Sequence, residues 1–235
     1  MESNIKRKNE HLWFKCYKKM IKATKPNVKF HYVGEHFKDG SLILSNHEST
    51  KGPLSWDFFC DRPVRFLGSE EMNSGLIRMY KYQSRVYYHE KKHWNLFLAR
   101  LFCLAATPLT NLFYKGLDLI SIREGVLFKK TMRDSYIALA NYHENLVIFP
   151  EDSTNGYLKR LEGFHKGFIL ICEYCLKNAY DVPLAVSYYN KDKNLIVVGE
   201  SIKYSEIKNK FKAKEDICEY LKNMCNELGD LSDKL

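Results

Sequence analysis

Short apolar runs recur along the chain, at a length that is typical of buried β-strands. The runs are VKFHYVG (28–34), SLILSNH (41–47), VRFLGS (64–69), LDLISI (117–122), LVIFPE (146–151), DVPLAVSYY (181–189) and NLIVVGESI (194–202). The last two are joined by the short polar segment NKDK, which predicts an antiparallel hairpin at one side of a sheet.

Longer stretches with helical periodicity separate several of these runs. One apolar stripe consists of Phe128, Met132, Tyr136 and Leu139, and another of Ile217, Leu221, Met224 and Leu228. Strands mixed with helices predict an α/β fold with a mixed, mostly parallel sheet flanked by helices. No repeat and no Gly/Ser linker divides the chain, so we expect one α/β domain over residues 28–235 after an N-terminal helical segment, 1–27.

The charge of the chain is concentrated at its N-terminus. The formal net charge is +9, and residues 1–25 carry eight Lys/Arg and two Glu, which is +6. Apolar residues recur there at helical spacing, namely Leu12, Trp13, Cys16, Tyr17, Met20 and Ile21. A basic amphipathic helix of this kind is typical of segments that lie on an anionic membrane surface. The alternative is that the apolar stripe of this helix packs on the domain. No nucleic-acid-binding module is recognisable, so we expect no nucleic-acid partner.

An apolar stretch at residues 94–114 is long enough to cross a membrane. Arg100 lies inside it and Pro108 interrupts its second half. A central Arg costs about 2.5–3.5 kcal/mol on insertion scales. We therefore predict a monotopic or core-packed hairpin, and a peripheral or monotopic protein at the cytoplasmic face of a membrane.

The cysteines indicate a reduced compartment rather than a metal site. Seven cysteines occur with no signal peptide, which favours the cytosol. Cys172 and Cys175 have CxxC spacing, but no second pair or His cluster completes a zinc site. We interpret both as small core residues on a helix, and we expect no metal and no cofactor.

Residues whose side chains are candidates for catalysis or ligand binding follow several of the predicted strands. They are Asn46-His47, Arg123, Pro150-Glu151 and Val182-Pro183, with GFHKGF (163–168) leading into a helix before the last. The carboxyl ends of parallel strands meet at one edge of a sheet, where α/β proteins bind ligands. A histidine at such a site titrates near neutral pH and suits proton transfer.

The order and spacing of these segments resemble the glycerolipid acyltransferase family, of which the lysophosphatidate (1-acylglycerol-3-phosphate) acyltransferases are the best-known members. The family has an Asn-His-x4-Asp block, a strand ending in Arg, Phe-Pro-Glu-Gly-Thr-Arg-Ser, Phe-x-Lys-Gly and a Val-Pro strand. The resemblance covers roughly residues 40–200, and RPVRFLGSEEM (62–72) is similar to the stretch after the family's first block. Each motif alone is weak, but their shared order is specific.

The resemblance implies transfer of a fatty acyl group from an acyl thioester to the hydroxyl of a lysophospholipid, in phospholipid synthesis. It makes His47 the general base. It also assigns acceptor binding to Arg123, Glu151, Ser153 and Lys166. The donor is expected to be acyl-CoA or acyl-acyl carrier protein.

Four of these residues also have a structural interpretation. His47 would then be a hydrogen-bonded loop residue, and Arg123 would pair with Glu124 or Asp118. Glu151 would cap its loop, and Lys166 would be a solvated side chain.

The chain departs from the family pattern at two blocks. The aspartate expected five residues after His47 is replaced by Gly52. Asp57 or Glu48 could support the histidine, as the acid of a triad does, or no carboxylate does so. In the third block the family's Gly-Thr-Arg becomes Asp152-Ser153-Thr154, which removes one expected phosphate contact that Lys159 or Arg160 could replace. A lipid-binding protein of the same fold with impaired catalysis is therefore the alternative function.

Overall fold

The computed structural model describes residues 5–48, 51–152 and 156–235, which form the predicted α/β architecture. The strands are β1 (Lys29–Tyr32), β2 (Leu42–Ser45), β3 (Val64–Ser69), β4 (Ile120–Ile122), β5 (Asn145–Ile148), β6 (Pro183–Asn190), β7 (Leu195–Val198) and β8 (Ile202–Lys203). Their order is β1-β7-β6-β2-β5-β3-β4, and β8 pairs with β6. Strand β6 pairs antiparallel with β7 and β8, and the other pairs are parallel. The mostly parallel sheet and the β6–β7 hairpin are thus confirmed.

Helices cover both faces of this sheet. They are α1 (Leu12–Lys22), α2 (Lys51–Phe59), α3 (Leu76–Lys81), α4 (Leu96–Leu117), α5 (Phe128–Tyr136), α6 (Gly167–Lys177), α7 (Tyr204–Lys210) and α8 (Lys214–Ser232). Short 3₁₀ turns span Glu70–Asn73 and Gly125–Leu127, and π-helical segments Tyr82–Lys91 and Ile137–Asn141 extend α3 and α5.

Two hydrophobic cores lie on opposite sides of the sheet. Successive strand residues point to opposite faces, so Leu42 and Leu44 enter one core and Ile43 the other. The first core receives α5, α6 and α8, including the buried thiols of Cys172 and Cys175, as predicted. The second core receives Phe14 of α1 and Trp56 of α2. Burial on both faces explains why the central strands are continuously apolar.

Helix α1 forms within the predicted N-terminal segment, but its predicted amphipathic arrangement is not confirmed. The buried residue is Phe14, which lies outside the predicted stripe and packs on Phe113 and Gly116. Leu12 and Met20 of the predicted stripe are 77% and 69% exposed. Contacts with Phe113 near the end of α4 bury the face of α1 that carries Phe14 and, in part, Tyr17 of the stripe.

The prediction of a hairpin within residues 94–114 is wrong. That stretch belongs to the continuous helix α4, with Pro108 inside it. The Asn95 side chain accepts hydrogen bonds from the N–H groups of Phe97 and Leu98, so the helix begins there and the chain reverses just before it. The hairpin is instead formed by α3 with its π-helical extension and by α4, and we call it the helical arm (76–117).

Helix α4 is unusual in how little of its apolar surface is covered. Among the described helices, it alone is long and apolar enough to cross a membrane, by length and composition. Only 17% of its most apolar 18-residue window is buried. The exposed residues include Phe97 and Leu104, at 72% and 63%. Exposed apolar surface of this extent marks an interaction site or a lipid contact.

Candidate functional site at the carboxyl edge

Four parallel neighbours, β2, β5, β3 and β4, end at the same side of the sheet, which we call the carboxyl edge. Asn46-His47 follows β2, and Glu151 lies three residues beyond β5. Because β2 and β5 are paired, the two motifs are brought together. Arg123 follows β4, three strands away from β2, which at about 4.8 Å per strand places it about 14 Å away across the sheet.

Asn46 fixes the chain at the end of β2. Its side-chain oxygen accepts the Tyr189 N–H at 2.6 Å, and its amide nitrogen donates to the Tyr189 carbonyl at 3.1 Å. Asn46 is 1% exposed, so both polar atoms are bonded away from water. The next residue, His47, therefore starts from a rigid position. Sequence reasoning gave no separate role to Asn46, although an amide beside the histidine could have signalled one.

Glu151 holds the backbone of His47. Its carboxylate accepts the His47 N–H at 2.7 Å across the two neighbouring strand ends. The His47 ring stacks on Tyr157 with centroids 5.2 Å apart, and it meets the edge of Phe149 at 5.0 Å. The sequence did not single out Tyr157, because an aromatic side chain between two motifs is a weak indication of a site residue.

Burial raises the pKa of Glu151, and nearby Glu48 adds to this effect, while the His47 N–H opposes it. Glu48 has a φ of 41°, in the left-handed region that a glutamate rarely adopts. Its carboxylate pairs with Lys191 at 3.3 Å. Glu48 is thus adjacent to the histidine but engaged by a lysine.

The GFHKGF segment also reaches the carboxyl edge. Phe164 forms a β-bridge with Glu151, and the His165 N–H donates to the Pro150 carbonyl at 2.7 Å. Lys166, however, is exposed and pairs with Glu215 of α8. The structure therefore supports the solvated interpretation of Lys166 more than a site role. Ser153, the other predicted contact in this region, lies outside the described residues.

Arg123 is engaged by carboxylates other than those considered from the sequence. Its guanidinium lies 3.4 Å from Asp134 and 3.7 Å from Glu70, and it donates to the Ser121 carbonyl. Asp118 pairs instead with Arg65, at the opposite edge. A guanidinium has five N–H donors, more than these contacts use, so it can also bind an anion.

The structure does not bring Asp57 to His47. Asp57 pairs with Lys18 of α1 at 3.0 Å, and its side chain is 3% exposed. It lines a cleft with Val64 and Asn145, the first residues of β3 and β5, so it lies at the amino edge, where the parallel strands begin. Burial raises the pKa of Asp57, although Lys18 and Lys8 oppose this. Its ion pair depends on α1, which carries Lys18.

Gly52 is in close contact with the backbone of Asn46 and His47. A Cβ atom on Gly52 would lie 2.5 Å from the His47 carbonyl oxygen and 3.2 Å from that of Asn46. These are backbone atoms of a segment that Asn46 and Glu151 hold in place. A side chain at position 52 would therefore displace His47, and the family's aspartate has no room in this arrangement.

Comparisons with models of known protein families, with curated proteins and with solved structures found no match. The likeness to the glycerolipid acyltransferases rests on the order of the motifs along the chain.

Gly52→Ala is expected to lower the free energy of unfolding by about 1–3 kcal/mol, because the new methyl group overpacks the His47 carbonyl. For the same reason, Gly52→Asp should not raise activity. Gly167→Ala is the matched control, since its Cβ would meet only Phe128 at 3.7 Å, also in the first turn of a helix. Urea denaturation measures both. A stable and more active Gly52→Asp protein would contradict this description of the loop.

Proposed function

We propose that the protein is an acyltransferase that acts at an anionic membrane surface, on the cytoplasmic side. It transfers a fatty acyl group from an acyl thioester to the hydroxyl of a lysophospholipid such as lysophosphatidate. The observation that carries the proposal is the junction of two motifs: the Glu151 carboxylate bonds the His47 backbone at 2.7 Å, at the carboxyl edge of paired parallel strands. A rigid, partly buried histidine at such an edge is suited to proton transfer.

In this mechanism His47 takes the proton of the acceptor hydroxyl as its oxygen attacks the thioester carbonyl carbon. The new C–O bond forms, the C–S bond breaks, and the imidazolium returns its proton to the departing thiolate. The products are an ester and a free thiol, so His47 is regenerated. Asn46 and Glu151 act as positioning residues through their bonds to the backbone. Proton transfer of this kind contributes about 10²–10⁴ in rate.

The direct test is turnover by the purified full chain. Acyl-CoA and acyl-acyl carrier protein donors of several chain lengths are offered with lysophosphatidate and with other lysophospholipids. Formation of the diacyl product, with release of one thiol for each ester, is the expected result. Absence of product with every pair of substrates would refute the proposal.

Arg123→Ala is expected to lower kcat/KM for lysophosphatidate at least about tenfold, because the acceptor's phosphate loses a charged, forked contact. The discriminating control is an acceptor without phosphate, such as a monoacylglycerol, for which the same variant should react as wild type does. Asp134 is buried and pairs with Arg123, so the melting temperature is measured alongside. An equal loss for both acceptors would make Arg123 a purely structural residue.

A lipid-binding protein without catalysis is the second candidate. The close approach of Gly52 to the His47 carbonyl favours it, because it excludes the carboxylate that supports the histidine in the family. The engagement of Asp57 by Lys18 favours it further. This candidate predicts binding of lysophospholipid with no turnover, and the turnover experiment separates the two.

A further inference from the structure

Three connections at the carboxyl edge share one pattern of residues. They follow β3, β4 and β5, and each presents an exposed pair of large apolar side chains. The pairs are Leu76 and Ile77, Val126 and Leu127, and Tyr157 and Leu158, which together we call the apolar rim. Val126 is 94% exposed, and Tyr157 lies against the His47 ring. The rim therefore follows three of the strand ends that form the carboxyl edge, and its Tyr157 is in contact with the candidate site.

Charge is ordered around each apolar pair. Basic residues follow the pairs, namely Arg78 and Lys81, Lys129 and Lys130, and Lys159 and Arg160, and all are exposed. Acidic residues precede them, and two of these contact the candidate site: the partly exposed Glu70 pairs with Arg123, and the buried Glu151 accepts the His47 N–H. The exposed charges of the rim are therefore predominantly basic: six exposed Lys/Arg stand against the exposed Glu71, Glu124 and Asp152. Lys159 and Arg160 pair with Asp233 and Asp230, but exposed pairs of this kind are weak and exchange readily with other anions.

The helical arm extends from the same edge. Helix α4 ends at the amino edge, where the next residue, Asp118, bonds to Arg65 of β3. Its 22 residues span about 33 Å, whereas the three residues of β4 span about 10 Å. Much of α4 therefore lies beyond the sheet on the carboxyl side. Met79, Ala99 and Cys103, buried within the arm, belong to neither of the two cores.

Helix α1 lies at the other edge. Its Lys18 pairs with Asp57, and the segment before it bonds to β3 at the amino edge, where Lys8 donates to the Val64 carbonyl at 2.8 Å. The exposed residues of α1 and the candidate site therefore lie at opposite edges of the sheet. A membrane that covers α1 would leave the site facing water.

We propose that the carboxyl edge, through the apolar rim and the helical arm, is the surface that docks on an anionic lipid bilayer. This inference deepens the proposed function and rests on it, because it assigns the membrane-facing side of the same site. The exposed apolar side chains suit the acyl-chain layer of an anionic membrane. The lysines and arginines that follow them suit its negatively charged headgroups. A lysophospholipid in that membrane would then meet His47 without leaving the lipid.

The experiment measures co-sedimentation of the full chain with vesicles of phosphatidylcholine and phosphatidylglycerol, without any turnover. Val126→Ser/Leu127→Ser should weaken binding at least about tenfold, since both side chains lose apolar area buried in lipid. Lys129→Gln/Lys130→Gln should weaken binding by about tenfold or more on these vesicles, and have no effect on pure phosphatidylcholine. The matched control is Leu12→Ser/Met20→Ser on α1, which removes equally exposed side chains and should bind as wild type does.

Several outcomes would overturn the inference. One is a loss of vesicle binding in the α1 variant with none in the variants at positions 126, 127, 129 and 130. Another is the absence of vesicle binding by the wild-type chain. A third is a lysine variant that binds vesicles as wild type does but has lost binding to single-stranded RNA. Turnover with a water-soluble short-chain donor and acceptor is recorded separately. A chain without turnover that still binds vesicles through the rim would refute the acyltransferase proposal while supporting the docking surface. Turnover without rim-dependent binding would support the acyltransferase proposal and refute the docking surface.

Discussion

His47→Ala is expected to lower kcat for acyl transfer by about 10²-fold or more, with little change in melting temperature. The loss follows from removing the general base, and the proton of the acceptor hydroxyl would then pass to water. Stability should change little, because the backbone N–H that donates to Glu151 is retained in alanine. Steady-state kinetics and thermal unfolding of the same preparations measure both quantities.

Two further variants make this result specific. His31→Ala removes an exposed histidine from β1, which lies three strands from β2 on the side away from β5, β3 and β4, and should keep wild-type kinetics. Asp57→Asn should also keep wild-type kcat, since Asp57 lies at the amino edge with Lys18. If Asp57→Asn costs nearly as much activity as His47→Ala, the two act as a unit and the description of Asp57 is wrong. If His47→Ala is silent in an active enzyme, another residue is the base.

Lys18→Met is expected to lower the free energy of unfolding by about 3 kcal/mol near neutral pH, because it leaves the Asp57 carboxylate buried without its closest counter-charge. The side chain of Asp57 is 3% exposed, and Met has a similar shape to the lysine stem. Burial disfavours a charged amine at position 18, yet Asp57 and Glu10 raise the pKa of Lys18 above its ordinary value. The carboxylates beside Lys18 therefore outweigh its burial and favour the charged form of its amine.

The loss should depend on pH in a defined direction. Burial already raises the pKa of Asp57 in the folded protein, and removal of Lys18 raises it further. A carboxyl group whose pKa is higher in the folded protein than in the unfolded chain stabilises the fold at pH values below its unfolded pKa. This stability is lost as the pH rises through its folded pKa. The difference between Lys18→Met and wild type should therefore be larger at pH 7 than at pH 4. Urea denaturation at several pH values measures it.

Lys15→Met on the same helix is the control for this experiment. Lys15 is exposed, so its loss should change stability by less than about 0.5 kcal/mol at any pH. An equal, pH-independent loss in both variants would attribute the effect to α1 itself rather than to the pair with Asp57.

The sequence alone determined the class of fold and the neighbourhood of the site. Buried parallel strands must be apolar on both faces, so runs such as 41–47 and 146–151 are visible without tertiary information. Once both are strands of a parallel sheet, their carboxyl ends share an edge, and the structure adds that β2 and β5 are direct neighbours. The antiparallel β6–β7 hairpin followed from its short polar connection.

Tertiary structure alone decided which partners the charged and apolar side chains have. Lys18 and Asp57 are 39 residues apart, and Arg123 and Glu70 are 53 apart, so neither pair is visible in local spacing. The exposed face of α4 and the contact of Gly52 with the His47 carbonyl depend on how whole elements pack. Local periodicity fixes where a strand or helix forms and which residues share a face. The choice of the face that is buried, and of the carboxylate that meets a given cation, depends on contacts between segments that only folding brings together.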